Sequence, residues 1–318
     1  MPFSTKEAWD NITRNGDNIV IATHYGPDGD AVGSCFALAY ALKAAGFSPK
    51  VVLDDYNEKL NIVDGKEFVF SGDTRQMPID LLVCLDCGDL ARVAAPGDLF
   101  ARAFTTINID HHVGNVGFAT HNYIDVTAPS TCEIIFGIIN HFVPLTKEMA
   151  AALYMGMATD TGGFRYSATT QKTMEIAGRL MSMDIDFTTI QQKTIYTRSR
   201  TESAIFAKAL QNMVHMPSGF TYTVITQKEM AEVSADYSDL DGIAEYMLNI
   251  EGTKIAAFLN ERPARTKVSF RSKEYTVNDL AAQFGGGGHK YAAAASFESQ
   301  FYDGVTSVLV AVEKKLNV

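Results

Sequence analysis

Continuous apolar runs at residues 18–23, 49–53, 79–85 and 104–109 constrain this chain most, because they do not alternate with polar residues. A strand that is apolar on both sides must be covered on both faces, which is the condition of a parallel sheet sandwiched by helices. The intervals agree with that reading: residues 30–45 carry an apolar helical face closed by Gly46. In such a sheet ligands bind beyond the carboxyl ends of the strands. Polar residues just after these runs are therefore the candidates for chemistry.

From residue 130 the pattern turns helical, with helices predicted over 132–141, 147–158, 170–183, 188–196 and 202–211, and with Thr146 and Thr169 placed as N-caps. After Pro217-Ser218-Gly219, strand-like runs return at 220–226, 253–260 and 267–271, with helices at 240–249, 278–283 and 302–316. The expected fold class is α/β. An N-terminal parallel-sheet domain with helices on both faces occupies 1–195, a helical linker 196–216, and a smaller C-terminal α/β domain 217–318. Low complexity is confined to 285–288 (glycine) and 292–295 (alanine).

The 318 residues carry 27 Lys and Arg against 37 Asp and Glu, a net charge of −10. That balance excludes a protein that grips long duplex nucleic acid through many phosphate contacts. Between Lys254 and Lys290 the sign reverses. Lys254, Arg262, Arg265, Lys267, Arg271, Lys273 and Lys290 outnumber Glu261, Glu274 and Asp279, which suits a small anionic ligand. The N-terminal residues lack the regions of a secretory signal and no apolar run reaches membrane-spanning length, so a cytoplasmic protein without a membrane partner is expected. Cys35, Cys84, Cys87 and Cys132 are too scattered for a disulfide framework. Cys84 and Cys87 have a redox spacing, but no active-site helix pattern follows them.

Three clusters rich in aspartate and histidine follow apolar elements: His24-Tyr25-Gly26-Pro27-Asp28-Gly29-Asp30, Asp110-His111-His112, and Asp160 after a helical run. Asp86 ends the run before it in the same way. Such side chains resist burial without a partner. Each also fits a plainer role, Asp30, Asp86 and Asp110 as helix caps and Asp160 as a helix C-terminal turn. At that position, however, Asp160 opposes the helix dipole and favours a nearby cation. Oxygen and imidazole donors without thiolate suit Mn2+ or Mg2+, and adjacent histidines pointing apart can serve both metal and substrate.

In this order the clusters resemble the DHH phosphoesterase superfamily, which includes nucleases, family II pyrophosphatases and cyclic-dinucleotide phosphodiesterases. The resemblance implies two bound Mn2+ ions, with Mg2+ as the alternative. It assigns His24, Asp28 and Asp86 to one ion and Asp30, Asp86, His111 and Asp160 to the other. His112 is then expected to reach the scissile phosphate and Asp110 to orient the histidines, which makes His112, Asp86 and Asp110 the implied catalytic residues. The string Gly285-Gly286-Gly287-Gly288-His289-Lys290-Tyr291-Ala292-Ala293 is similar to the signature of the DHHA1 domain, with Ala294 where glycine is usual. From that similarity Gly286, Gly287, Gly288, His289 and Arg271 are expected to bind substrate, with Arg262 second, and Arg165 in the segment 159–167 is added from the N-terminal domain.

Length and layout most resemble the nanoRNase/pAp-phosphatase group. That resemblance implies hydrolysis of short oligoribonucleotides to mononucleotides, removal of the 3′-phosphate of 3′-phosphoadenosine 5′-phosphate (pAp), short single-stranded RNA or nucleotides as partners, and a homodimer. Phosphodiesterase activity on cyclic or linear dinucleotides, pyrophosphatase activity, and a non-catalytic nucleotide-binding role are the alternatives.

Overall fold

The computed structural model describes residues 2–94 and 98–317, which form two compact units divided after Thr197. The first begins with α1 (Thr5–Arg14), capped by the Ser4 side chain, and burying Ala8, Trp9 and Ile12. Then come β1 (Ile19–Ala22), α2 (Gly29–Ala44), β2 (Lys50–Val52), β3 (Leu81–Leu85), α3 (Leu99–Arg102), β4 (Thr105–Asp110) and β5 (His121–Ile124). Four helices follow, α4 (Thr131–Ile139), α5 (Lys147–Asp160), α6 (Gln171–Met181) and α7 (Phe187–Gln191), and a π-helical turn at Gln192–Tyr196 continues the last. Among the described residues the strands form one parallel sheet ordered β2-β1-β3-β4-β5.

Two-sided burial explains the continuous apolar runs. On one face Ile19, Ile21, Leu81, Val83, Leu85, Ile107 and Ile109 pack with α1, α2, α4 and α5, while Val20, Ala22, Leu82 and Cys84 face a smaller layer containing Met77, Val93 and Leu99. Helices therefore cover the sheet unequally, the second layer being made largely of short turns. β1 lies between β2 and β3, so the chain leaves it in opposite directions on its two sides. The crevice this makes at the carboxyl ends of β1 and β3 is where α/β sheets bind ligands.

α2 and α5 approach closely because glycines face the contact. A side chain at Gly33 would strike the Ala152 carbonyl, one at Gly29 would strike Thr159, and one at Gly156 would strike Cys132. This brings the start of α2 beside the end of α5, so the residues at 28–30 meet Asp160.

The second unit contains α8 (Arg200–Gln211), β6 (Val214–His215), β7 (Phe220–Ile225), α9 (Gln227–Glu232), α10 (Ile243–Leu248), β8 (Ile255–Arg262) and β9 (Arg265–Ser272). It ends with α11 (Asn278–Gln283), β10 (Gly287–His289), β11 (Ala292–Glu298) and α12 (Phe301–Leu316). The mixed sheet runs β10-β11-β9-β8-β7-β6. α12 covers one face over Ile255, Ala257, Val268 and Phe270. The stretch expected as a linker contains α8, whose buried Ile205 and Ala209 join Ala256, Phe258 and α10 in the core of the opposite face. It packs as part of this unit.

The glycine and alanine repeats, expected as low complexity, form the β10–β11 hairpin, with Gly287, Gly288 and His289 paired to Ala294, Ala293 and Ala292. Side chains at Gly286 or Gly288 would collide with the β11 backbone. Here glycine is required by close approach instead of flexibility.

Candidate functional site

The expected ligands gather at the carboxyl end of the parallel sheet. His24 follows β1, Asp86 follows β3, Asp110 ends β4 and Asp160 ends α5. Asp28, not Asp30, caps α2: its Oδ1 accepts from the amides of Asp30 and Ala31, each at 3.0 Å. The curled Gly-Pro-Asp-Gly turn puts Asp28 at the cap position, which frees Asp30 to point inward. Asp30 is fully buried and accepts from the amides of Thr131 (2.6 Å) and Cys132 (2.9 Å) at the start of α4. That helix N-terminus favours its charged form.

Asp86 occupies the centre. Its backbone is left-handed (φ 57°), an uncommon conformation for a residue with a side chain that turns the carboxylate out of the strand. One oxygen, Oδ2, faces His24 Nε2 at 3.7 Å; the other, Oδ1, faces His111 Nε2 at 3.5 Å and accepts from the Thr131 hydroxyl at 3.0 Å. His24 Nδ1 lies 3.0 Å from the Tyr25 carbonyl and His111 Nδ1 lies 3.3 Å from the Ala128 carbonyl. Each Nδ1 therefore carries the proton that the carbonyl accepts, and each Nε2, turned toward the carboxylates, is the nitrogen available to a metal. His111 Nε2 is also 3.2 Å from Asp160 Oδ2.

Two groups of donors result, His24 with Asp28 and Asp86, and Asp30 with His111 and Asp160. In each, the donor atoms lie within 4.8 Å of one another. That is close to the roughly 4 Å span of donors about 2.1 Å from a common divalent ion. A third combination, Asp86 with His111 and His112, overlaps them. The electrostatics favour cations here. The ion pairs that Asp86, Asp110 and Asp160 make are with histidines. Burial and the charges of Asp86 and Asp28 push the Asp30 carboxyl well above the usual range, and burial with the charges of neighbouring aspartates does the same to Asp160. For Asp86 burial acts in the same direction, but the hydrogen bond to His24 and the histidine charges outweigh it and hold the pKa down to about 2. Crowded buried carboxylates with correctly presented imidazoles are a donor set for divalent metal.

His112 stands apart from the two groups. Its Nδ1 is 2.7 Å from Asp110 Oδ1, and Asp110 Oδ2 accepts from the Asn115 amide at 2.7 Å. The same amide reaches the Cys87 carbonyl and Asn108 Oδ1, which ties the carboxylate to the sheet. Burial disfavours imidazolium at His112, but the Asp110 bond and the charges of Asp86 and Asp110 prevail and raise its pKa to about 9. A charged donor is thus fixed at the rim. Asn115 and Thr131 were invisible in sequence, where neutral polar loop residues carry no pattern. Arg165, five residues after Asp160, is exposed, with its Nε donating to the Gly162 carbonyl at 2.8 Å. All four cysteines are buried free thiols, and burial raises Cys84 to about 12, so the redox spacing has no reactive thiolate.

In the second unit the register places Arg271, Ala292 and His289 in one row across β9, β11 and β10. At the usual strand spacing the backbone positions of Arg271 and His289 stand about 10 Å apart, with Ala292 between them. Arg271 is partly engaged: Nε donates to Glu245 Oε1 at 2.6 Å and Nη1 to the Phe270 carbonyl at 2.9 Å. Arg262 stacks on Tyr237, 3.9 Å from the ring centre, and its Nε donates to Asn260. Gly287, Gly288 and His289 are exposed, whereas Gly286 is half-buried against β11.

Comparisons with known proteins agree with this division. The model of the DHH family N-terminal domain matches residues 18–157 and that of the DHHA1 domain residues 218–317. The bifunctional oligoribonuclease and PAP phosphatase NrnA of Thermus thermophilus is 31% identical over 94% of this chain and 90% of its own length. The protein of the same name from Bacillus subtilis is 25% identical over 89% of this chain and 90% of its own. A crystal structure of an exopolyphosphatase-related protein from Bacteroides fragilis superposes with a TM-score of 0.89 at 27% identity, covering 98% of this chain and 96% of that one. With both domains in order and ligand-competent clusters at the first, the chain belongs to the DHH phosphoesterase family and carries its DHHA1 domain.

Proposed function

We propose that this protein hydrolyses short oligoribonucleotides to mononucleotides and removes the 3′-phosphate of pAp. The observation that carries the reading is the pair of donor groups joined through the two oxygens of Asp86. Its support is the naming of relatives that match over nearly their whole length. His24, Asp28 and Asp86 hold one ion in this reading, and Asp30, Asp86, His111 and Asp160 the other, with manganese preferred and magnesium the alternative. When bound, such a pair of ions lowers the pKa of water and offsets phosphate charge.

The remaining work belongs to the chain. Asp110 orients His112, whose charged imidazole donates to an oxygen of the scissile phosphate. Asp86 fixes the spacing of the two groups, Arg165 lines the rim, and Arg271, Arg262, His289 and the Gly286–Gly288 backbone recognise a terminal phosphate or nucleotide. A cytoplasmic enzyme acting on short single-stranded RNA, as a homodimer, completes the reading. No helix among the described residues is long and apolar enough to cross a membrane.

A substrate panel tests the reaction. The purified protein with Mn2+ is offered a linear diribonucleotide, pAp, a cyclic dinucleotide and pyrophosphate. Turnover of the first two is expected, and turnover of the cyclic dinucleotide or pyrophosphate alone would replace this reading with the corresponding alternative.

A further inference from the structure

The segment from Asp86 to Val93 leaves the central carboxylate and returns to the first histidine, and the structure binds it at both ends. Val93 forms an isolated antiparallel bridge with His24, the Tyr25 amide donates to the Arg92 carbonyl at 2.9 Å, and the Ala94 amide donates to the Thr23 carbonyl at 2.7 Å. Between these ends, Asp89 caps a short 3-10 turn, with its Oδ1 accepting from the Ala91 amide at 2.8 Å. His112 lies over the same segment: a Cβ added at Gly88 would sit 3.3 Å from His112 Cβ.

Arg92 is thus held by its backbone beside His24 while its side chain is exposed, and its guanidinium pairs with no carboxylate among the described residues. Other arginines of this unit are engaged, Arg102 by the Thr74 and Met77 carbonyls and Arg165 by the Gly162 carbonyl. The charge of Arg92 reaches the His112 imidazole, which it opposes. Charge balance gives this cation a role. Two divalent ions match the carboxylates of Asp28, Asp30, Asp86 and Asp160 and leave no surplus positive charge. An arriving phosphate brings further negative charge, and more develops on its oxygens as the bond breaks.

We propose that Arg92 is a catalytic residue that donates to a non-bridging oxygen of the scissile phosphate. A guanidinium presents paired N–H donors that match two phosphate oxygens, and its low hydration suits a rim position. The proposal rests on the phosphoesterase reading above but not on which phosphate ester is the natural substrate.

The test compares wild type with Arg92→Ala and Arg92→Lys on a linear diribonucleotide and on bis(p-nitrophenyl) phosphate, with Mn2+ stoichiometry and thermal stability measured alongside. Inorganic phosphate, the fragment common to these substrates, is titrated calorimetrically into each Mn2+-loaded protein. Arg92→Ala should lower kcat/KM about 100-fold on both diesters, the size of effect seen when one charge-stabilising donor is removed. It should also weaken phosphate binding at least tenfold, with metal content and melting temperature unchanged, and Arg92→Lys should recover part of each loss. Unchanged turnover and phosphate binding in Arg92→Ala would overturn the proposal, as would a loss that tracks a loss of bound Mn2+. A wild-type protein active on the artificial diester but not on RNA would instead overturn the substrate reading, and the phosphate titration decides the role of Arg92 even if neither diester is turned over.

Discussion

Asp86 shows how much one residue can carry. Left-handed backbone after a buried strand is unfavourable for most side chains, and here it turns one carboxylate oxygen to each of two histidines. The sequence marks Asp86, because an acid ending an apolar run is conspicuous, but does not mark what holds its neighbours in place. Asn115 is the clearest omission: in the string His-His-Val-Gly-Asn it reads as a turn residue, yet its amide satisfies Asp110. Asn115→Ala should leave Mn2+ stoichiometry intact while lowering kcat about 10- to 100-fold, as loss of an orienting partner does in metal sites. Steady-state kinetics on a diribonucleotide with metal analysis checks this, and a fall in metal content instead would assign Asn115 to ion retention. Asp30 was legible as an acid in the right cluster but was open to a reading as the helix cap. Only the curl of the turn, which gives that task to Asp28, settles which of the two is buried.

Elements were legible where their patterns are strong. The central strands of the first sheet stand out as apolar runs, and α2 and α5 as helices of ordinary length. His121–Ile124 did not, because an edge strand with only Tyr123 buried lacks a continuous run. Ala292–Glu298 did not, because alanine is a poor strand former, and the close approach of Gly286 and Gly288 to its backbone leaves no mark in the sequence pattern. The contact between α2 and α5 was equally hidden, since Gly29, Gly33 and Gly156 in apolar helices look like tolerated defects. They set the approach that brings Asp30 to Asp160. Gly33→Ala would press a methyl group against the Ala152 carbonyl, so we expect about 1–3 kcal/mol of destabilisation by urea unfolding. Mn2+ affinity should weaken with it. Normal stability with weakened metal affinity would mean that the helices shift apart without a packing cost.

For the whole molecule, the two-domain order was visible in the change from continuous to returning strand signals. The linker was not, because α8 has an apolar face in Ile205 and Ala209 whose partner strands come later in the chain. The proposed ligand residues all lie in the first unit, so metal should stabilise the two units differently. At 100-fold excess over its dissociation constant, an ion that binds only the folded form adds about 2.7 kcal/mol. Hydrogen exchange with and without Mn2+ should therefore show slowed exchange within residues 2–197 and little change in 198–317. Equal protection in both would contradict a centre confined to the first. The same arrangement has a consequence in time. Every donor from His24 to Asp160 has been synthesised before residues 161–318, which at about 5–20 residues per second take roughly 8–32 s to translate. The nascent chain therefore holds every donor of the proposed ion sites while the hairpin proposed to recognise anions does not yet exist, so cation capture can precede substrate binding.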